Sequence, residues 1–476
     1  VKRHFYLDGK WKEASKYMPL YSPYSGELLA EVAEAGEAET EEAIRSAQKA
    51  AVVMANMPAH ERAAILDRLI AIMERRQDEL VRILALEAAK PIKTARGEIA
   101  RTIQTYKFAA MEARRIHGET VPLDAAPGGE GRIAFTMRRP LGVIGAITPF
   151  NFPFNLVAHK VGPAIAAGNT VVLKPAGQTP LSALALGELF AEAGLPDGAL
   201  NIIPGPGNVV GERLVRDERV KAITFTGSPA VGIAMKNKAG LKRVTLELGS
   251  NSALVIDRTC ELTLELIQRC VTGAFAFSGQ VCISIQRILV HNDLFAEFVE
   301  KFKAQTEKLV IGDPLDEATD VSALISEKEV RRMEDWVASA CAKGAEIVTG
   351  GEAISSRLYP PTILTGVPTD EPVSCQEVFG PIVTVSSFAT LDEAIREVNS
   401  SRYGLQAGIY TNDIHAAMQA AMEMDVGGVM INDFPTFRVD NMPYGGVKES
   451  GFGREGIKYA VEEMTELKLI VIKLKS

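Results

Sequence analysis

The chain lacks the features that announce a specialised environment. Its 476 residues contain no run of about 18 apolar residues, and the start, Val1-Lys2-Arg3-His4-Phe5-Tyr6, is not followed by the apolar core of a secretion signal. Cysteine is scarce: the five present (Cys260, Cys270, Cys282, Cys341 and Cys375) are odd in number and form no Cys-x-x-Cys pair. That excludes a disulfide framework or a zinc site as the organising principle, so no metal is expected and a reducing compartment, by default the cytoplasm, is. Basic surplus is also missing. Lys and Arg total 52 against 60 Asp and Glu, for a net charge of -8, which argues against nucleic acid or a membrane surface as partner.

What is present is an ordinary globular composition, 47% hydrophobic and 24% charged, in a chain too long for one core. From Ala38 to Lys90, Ala, Glu, Arg and Leu carry apolar residues at helical spacing, as in Ile65, Leu66, Leu69, Ile70 and Met73, and the stretch reads as two helices parted at Met57-Pro58. From Gly142 to Ser250 short Val/Ile runs (Val143 to Ile147, Thr170 to Leu173, Asn201 to Ile203, Ala222 to Phe225, Val244 to Leu246) alternate with helical stretches such as Pro180 to Ala193 and Pro229 to Lys238. This is the pattern of βαβ units on a parallel sheet. It resumes after Glu247, with helices expected at Leu294 to Leu309 and Glu327 to Lys343. The fold class is therefore α/β, with two parallel-sheet α/β domains. Arg132 to Arg138 and Leu467 to Leu474 read as strands far apart in sequence that fit neither domain. An apolar terminal strand left unpaired is an aggregation hazard.

Two residues carry chemistry. Cys282, in Phe277-Ser278-Gly279-Gln280-Val281-Cys282, has small and polar neighbours that place it on an accessible turn, where a thiol can serve as a nucleophile once ionised. Glu247, in Leu246-Glu247-Leu248-Gly249, supplies a candidate general base. The alternative for a lone cysteine is a packed core position. Phe225-Thr226-Gly227-Ser228 joins a strand to a helix, a context that suits a pyrophosphate even though the spacing is not Gly-x-Gly-x-x-Gly.

These segments, together with Pro149-Phe150-Asn151-Phe152-Pro153, Gly168-Asn169-Thr170-Val171-Val172-Leu173-Lys174-Pro175, Glu377-Val378-Phe379-Gly380-Pro381 and Pro443-Tyr444-Gly445-Gly446-Val447-Lys448-Glu449-Ser450-Gly451, resemble the aldehyde dehydrogenase superfamily over nearly the whole chain. The wording Gly279 to Ser284 and Asp440 to Pro443 is similar to lactaldehyde and nonphosphorylating glyceraldehyde-3-phosphate dehydrogenases. The resemblance implies a variant Rossmann cofactor domain (1–117 and 141–248), a catalytic domain (249–447), and a small β bridging or oligomerisation domain (118–140 and 463–476) that makes a homodimer or homotetramer. It implies NADP or NAD held by Thr148, Lys174, Gly227, Ser228, Leu248, Glu377 and Phe379. Gly177 stands where NAD-selective relatives carry a glutamate, so NADP should be tolerated or even preferred.

The implied reaction is oxidation of an aldehyde to its carboxylate through a thiohemiacetal and a thioester on Cys282. Asn151 is then the oxyanion donor and Glu247 activates the hydrolytic water. Lys160 and Glu455 form either a proton path or a structural ion pair. Arg101, Arg438 and Ser284 are candidate substrate residues, because guanidinium groups orient a carboxylate, sulfonate or phosphate. The substrate expected is a short polar or anionic aldehyde. Val281, where the phosphate-substrate enzymes often have arginine, weakens the phosphate version. Transfer of the acyl group to coenzyme A and a catalytically silent relative are the alternatives.

Overall fold

A computed structural model describes residues 1–474. Two large sheets dominate it. The first has eight strands in the order Gly451–Phe452, Arg243–Glu247, Val220–Thr226, Val143–Ile147, Thr170–Lys174, Leu200–Ile202, Phe5–Leu7, Lys10–Lys12, the five inner ones parallel and the outer ones antiparallel. Val143–Ile147 is its first parallel strand. The chain then moves outward through Thr170–Lys174 and Leu200–Ile202 before returning to Val220–Thr226 on the other flank. The strand order therefore reverses between Val143–Ile147 and Val220–Thr226, and ligands of open α/β sheets bind at the carboxyl end of such a switch point.

The second sheet has seven strands, ordered Glu346–Thr349, Thr362–Thr365, Ile382–Phe388, Arg287–His291, Ala253–Ile256, Gln406–Tyr410, Gly428–Ile431, all parallel except the first. A third sheet is small and antiparallel. Thr465–Lys473 pairs along nine residues with Arg132–Pro140, which also holds Thr120–Val121. The two distant strands read from sequence thus meet each other. Lys475 and Ser476, the end of the expected 463–476 segment, lie outside the described residues. Among the described residues no helix is long and apolar enough to cross a membrane, and no group of three or more His, Cys, Asp or Glu is placed to hold a metal ion.

One helix organises the interior. Nine of the thirteen residues of Asn155–Ala167 are Ala, Val, Ile, Leu or Gly, and every residue of it is buried, His159 and Lys160 included. The reading of Ala38 to Lys90 as two helices needs correction. Glu37–Asn56 and Ala59–Arg75 part at Pro58 as expected, but a third helix, Gln77–Ala88, follows. The break is one residue wide, at Arg76 (φ -103°, ψ 18°), whose guanidinium ties Glu79 and Glu188. No proline or glycine marks it, so the helical apolar spacing runs through it unbroken.

Candidate active site

Four sequence-predicted positions line up on the carboxyl edge of the first sheet. Thr148 follows Val143–Ile147, Lys174 ends its own strand, Gly227 follows Val220–Thr226, and Glu247 ends Arg243–Glu247. Lys174 is buried and, among the described residues, its Nζ donates only to the Pro175 carbonyl, at 3.1 Å; burial pulls its pKa down to about 8. An ammonium with that little compensation suits a hydroxylated or anionic ligand. A cleft of about 340 Å³ lies beside it, lined also by Gly177, Pro204, Gly205 and Gly207, and a Cβ built at Gly177 would meet nothing within 4 Å. Glu34, the one carboxylate on its wall, is paired with Lys16. Ser228 stands exposed at the N-cap of the helix Pro229–Lys238, so the end of a ten-residue helix opens beside Gly227. Leu248 packs over Gly232 of that helix.

The loop that leads to Cys282 is a strained one. Phe277 (φ +49°) and Ser278 (φ +55°) both adopt left-handed backbone, a cost of about 1–3 kcal/mol each that surrounding contacts must offset. Phe277 is fully buried and Ser278 Oγ donates to the Ser322 carbonyl at 2.8 Å. Gly279 (φ +68°) follows, and a Cβ there would lie 2.1 Å from the Gly380 carbonyl oxygen, so only glycine fits. The loop delivers Cys282, half-buried, into a narrow cavity shared with Ser250, Ser284, Glu377 and Phe379. Glu377 accepts from the Ser250 N–H at 2.9 Å, and burial raises its pKa to about 7. Phe379 is held at φ +50° with its ring edge-on to Phe150, 5.7 Å away. Ser284 lines the cavity too, yet its hydroxyl donates to the Gly273 and Ala274 carbonyls, so its proton is committed to the end of the helix Leu264–Phe275 rather than free for a substrate.

Asn151 reaches the same loop. Its Nδ2 donates to the Gln280 carbonyl at 3.0 Å, and an amide nitrogen has a second hydrogen to offer. Its backbone carbonyl is held at 2.6 Å by Lys90 Nζ, a fully buried ammonium paired with Glu98 and placed 3.8 Å from the Phe152 ring and 4.3 Å from the Phe277 ring. Lys90 therefore ties Asn151 to the strained loop through both aromatics. Sequence reasoning missed it, because its partner lies eight residues away and nothing local marks either.

Glu247 is 3% exposed, and neither carboxylate oxygen has a hydrogen-bond partner among the described residues. Burial, and then the negative charge of Glu455, raise its pKa well above the ordinary glutamate range, against the opposing pull of Arg438, Lys160 and Arg454. Gly445 passes over it so closely that a Cβ there would sit 2.9 Å from Glu247 Oε1. Lys160 and Glu455 are paired at 2.6 Å, with Thr226 Oγ1 accepting from the same ammonium. Burial opposes the Glu455 charge, but Lys160 and Arg438 outweigh it and keep its pKa below the usual value.

The two arginines differ from each other. Arg101 is a third exposed and bound through two nitrogens to Asp440, at 2.7 and 3.3 Å. Arg438 is 6% exposed: it pairs with Glu455 at 3.1 Å, its guanidinium lies 3.6 Å from the centre of the Tyr444 ring, and its Nε has no partner among the described residues. Tyr444 in turn places its hydroxyl 2.9 Å from Cys282 Sγ. Asp440 also receives His159 Nε2 at 2.9 Å and Asn155 Nδ2 at 3.1 Å. Burial works against its charge, but the hydrogen bond from His159, and then Arg101, hold its pKa far below the carboxylate range. Tyr444, Asp440 and His159 are absent from the sequence-derived site. Tyr444 falls inside the segment Pro443 to Gly451, but no spacing shows that a tyrosine 162 residues downstream will touch the cysteine.

Asn151 bonds to the loop that carries Cys282, Glu247 lies near enough for its charge to act on that thiol, and the cleft beside Lys174 opens on the sheet edge where the Glu247 strand ends. The profile described as "Aldehyde dehydrogenase family" matches residues 11–470. A 3-sulfolactaldehyde dehydrogenase of Priestia aryabhattai is 48% identical, with 100% of this chain and 99% of that protein covered. Among solved structures, an aldehyde dehydrogenase of Physcomitrella patens in complex with the reaction product succinate superposes with a TM-score of 0.97 at 41% identity, covering 99% of this chain and 98% of that one. A glyceraldehyde-3-phosphate dehydrogenase of Methanocaldococcus jannaschii complexed with NADP does so with a TM-score of 0.92 at 40% identity, covering 96% and 99%. A match of this extent settles the family, and the chain belongs to the aldehyde dehydrogenases.

Proposed function

We propose that this enzyme oxidises a short anionic aldehyde to its carboxylate with NADP or NAD, using Cys282 as nucleophile, Asn151 as oxyanion donor and Glu247 as base for the hydrolytic water. The carrying observation is Arg438, a buried cation with an unpartnered Nε–H, lying one tyrosine ring from Cys282. A site walled by such a group favours a carboxylate, sulfonate or phosphate at the far end of a short substrate. The three proteins compared above are named for or bound to sulfonated, carboxylated and phosphorylated compounds respectively, which supports the same class.

When bound, the nicotinamide dinucleotide supplies the hydride acceptor. The chain supplies the rest. Lys174 and the open space at Gly177 suit the adenosine end, with room for a 2′-phosphate; Gly227 and Ser228 suit the diphosphate; Glu377 and Phe379 suit the nicotinamide end, in the cavity they share with Cys282. The Cys282 thiolate attacks the aldehyde carbon, and the carbonyl π pair moves to oxygen, where the free Asn151 N–H stabilises it. Once the acyl group is a thioester, Glu247 takes a proton from water and the resulting hydroxide displaces the thiolate. Lys160 and Glu455 lie beside that carboxyl and can carry the proton onward. Glu247 favours hydrolysis over transfer to coenzyme A. The bridging sheet, with its apolar terminal strand, supports a homodimer or homotetramer.

Catalytic efficiencies for 3-sulfolactaldehyde, succinate semialdehyde, lactaldehyde, glyceraldehyde 3-phosphate, hexanal and benzaldehyde, each with NADP and NAD, test the proposal. Anionic compounds should lead. Arg438→Leu and Arg101→Leu should each penalise them selectively, beyond the common loss expected because the first strips Glu455 of a partner and the second Asp440. A preference for hexanal or benzaldehyde overturns the substrate class.

A further inference from the structure

The Tyr444 hydroxyl lies 2.9 Å from Cys282 Sγ, and its position is fixed from three sides. The residue is 2% exposed. Its backbone exchanges both hydrogen bonds with Glu455, at 3.0 and 2.6 Å, and the Arg438 guanidinium covers its ring. A phenol so held has no route to solvent, and its direction is set toward the sulfur.

Charge decides which atom donates. Burial raises the Tyr444 phenol well above its usual range, and a charge on Cys282 raises it further, so its proton stays on oxygen. The Cys282 thiol is also driven up by burial, to about 11, with Glu377 and Glu247 adding to the rise; the Tyr444 hydrogen bond and the Arg438 charge are what oppose it. A hydrogen bond to the charged form of an acid favours that form. We propose that the Tyr444 hydroxyl donates to the Cys282 thiolate and so sets how much of the nucleophile is ionised, with Arg438 over its ring as electrostatic support. The thiol proton leaves to water and the sulfur lone pair accepts the phenol hydrogen; nothing is oxidised or reduced. When sulfur attacks the aldehyde, its charge is lost as the C–S bond forms and the phenol bond weakens. The effect therefore falls on ionisation rather than on the limiting rate.

This rests on Cys282 being the nucleophile, and the test separates the two. Alkylation of the full-length enzyme by iodoacetamide is followed against pH, with Cys282 resolved from the other four cysteines by peptide mass mapping. In Tyr444→Phe the rate near neutral pH should fall about tenfold, its inflection should move to higher pH, and the alkaline plateau should match the unaltered enzyme. The kcat/KM for aldehyde should show the same deficit and the same recovery at alkaline pH. A superimposable profile overturns the Tyr444 role and leaves the nucleophile untouched. A lowered plateau overturns it too, since it means a displaced thiol. Turnover that survives Cys282→Ala overturns the nucleophile instead, and the Tyr444 role with it. Should the phenylalanine variant not fold, 3-fluorotyrosine placed at 444 alone strengthens the donor. The inflection must then move to lower pH, and an unmoved one overturns the proposal.

Discussion

Glu247 and Cys282 are two cases of one physical effect. Burial stabilises the neutral form of both acids, but the protonated carboxyl cannot act as a base and the protonated thiol cannot attack. Each step should therefore gain from rising pH, over different ranges. Glu247 is still protonated where an ordinary glutamate, with a pKa of about 4.3, is fully ionised. We expect steady-state turnover, where hydrolysis limits it, to climb along a limb displaced upward from that range. Glu247→Gln should abolish the limb, leaving a rapid-mixing burst of reduced cofactor followed by slow release, while Cys282→Ala should give neither phase. An unimpaired Glu247→Gln enzyme would remove the base assignment. At this scale the proposed reacting groups are legible in the sequence, because cysteine and glutamate carry their chemistry in their identity. Lys90 and Tyr444 are not, since each matters only through where folding puts it.

Among elements, the switch point of the first sheet explains why Thr148, Lys174, Gly227 and Glu247 fall on one edge. Alternating Val/Ile runs and helices reveal such a sheet from sequence, and the strands between Val143 and Glu247 lie within a residue or two of their expected places. Less legible is how the segment from Asp433 to Pro443 is anchored. It has no regular structure between Ile431 and Val447, and Asp440 fastens it to the helices Ile92–Ala113 and Asn155–Ala167 through Arg101, Asn155 and His159. Buried polar contacts between elements leave no periodic trace. Asp440→Asn removes the charge and keeps the shape, so weakening its charge-assisted hydrogen bonds should cost about 2 kcal/mol, read as a lower urea midpoint. Because the Asp440 carboxylate is held below its unfolded value, its contribution is present above that value and lost as pH falls toward the folded one. The gap between the two proteins should accordingly close in acid. The variant should also raise the KM for anionic aldehydes several-fold, by loosening the loop that carries Arg438. An equal midpoint at neutral pH would show that Asp440 anchors nothing.

For the whole molecule, the strand Thr465–Lys473 poses a problem that one chain does not solve. It is the edge of its sheet: Arg132–Pro140 satisfies one side of its backbone and the other is unpaired among the described residues. Leu467, Leu469 and Val471, alternate residues of one face, are about half exposed, and on the other face Ile472 is exposed together with Ile133 and Met137 of the neighbouring strand. Long apolar edge strands are rare in stable monomers because they recruit other chains. A matching edge exists at Gly428–Ile431, the last strand of the second sheet, where Ile431 is exposed. The proposed oligomer would bury both at once by joining the terminal strand of one protomer to a partner. Leu469→Lys puts a charge at the middle of the Leu467 to Val471 face without touching Cys282, Glu247 or the cleft beside Lys174. Sedimentation should show the unaltered enzyme as a dimer or tetramer and the variant shifted toward the single-chain mass. Thiol alkylation at Cys282 should stay unchanged, since Tyr444, Asn151 and the strained loop that hold that residue all belong to its own chain. An unaltered enzyme that sediments as a monomer overturns the proposal, and a variant that keeps its full assembly places the contact elsewhere on the surface.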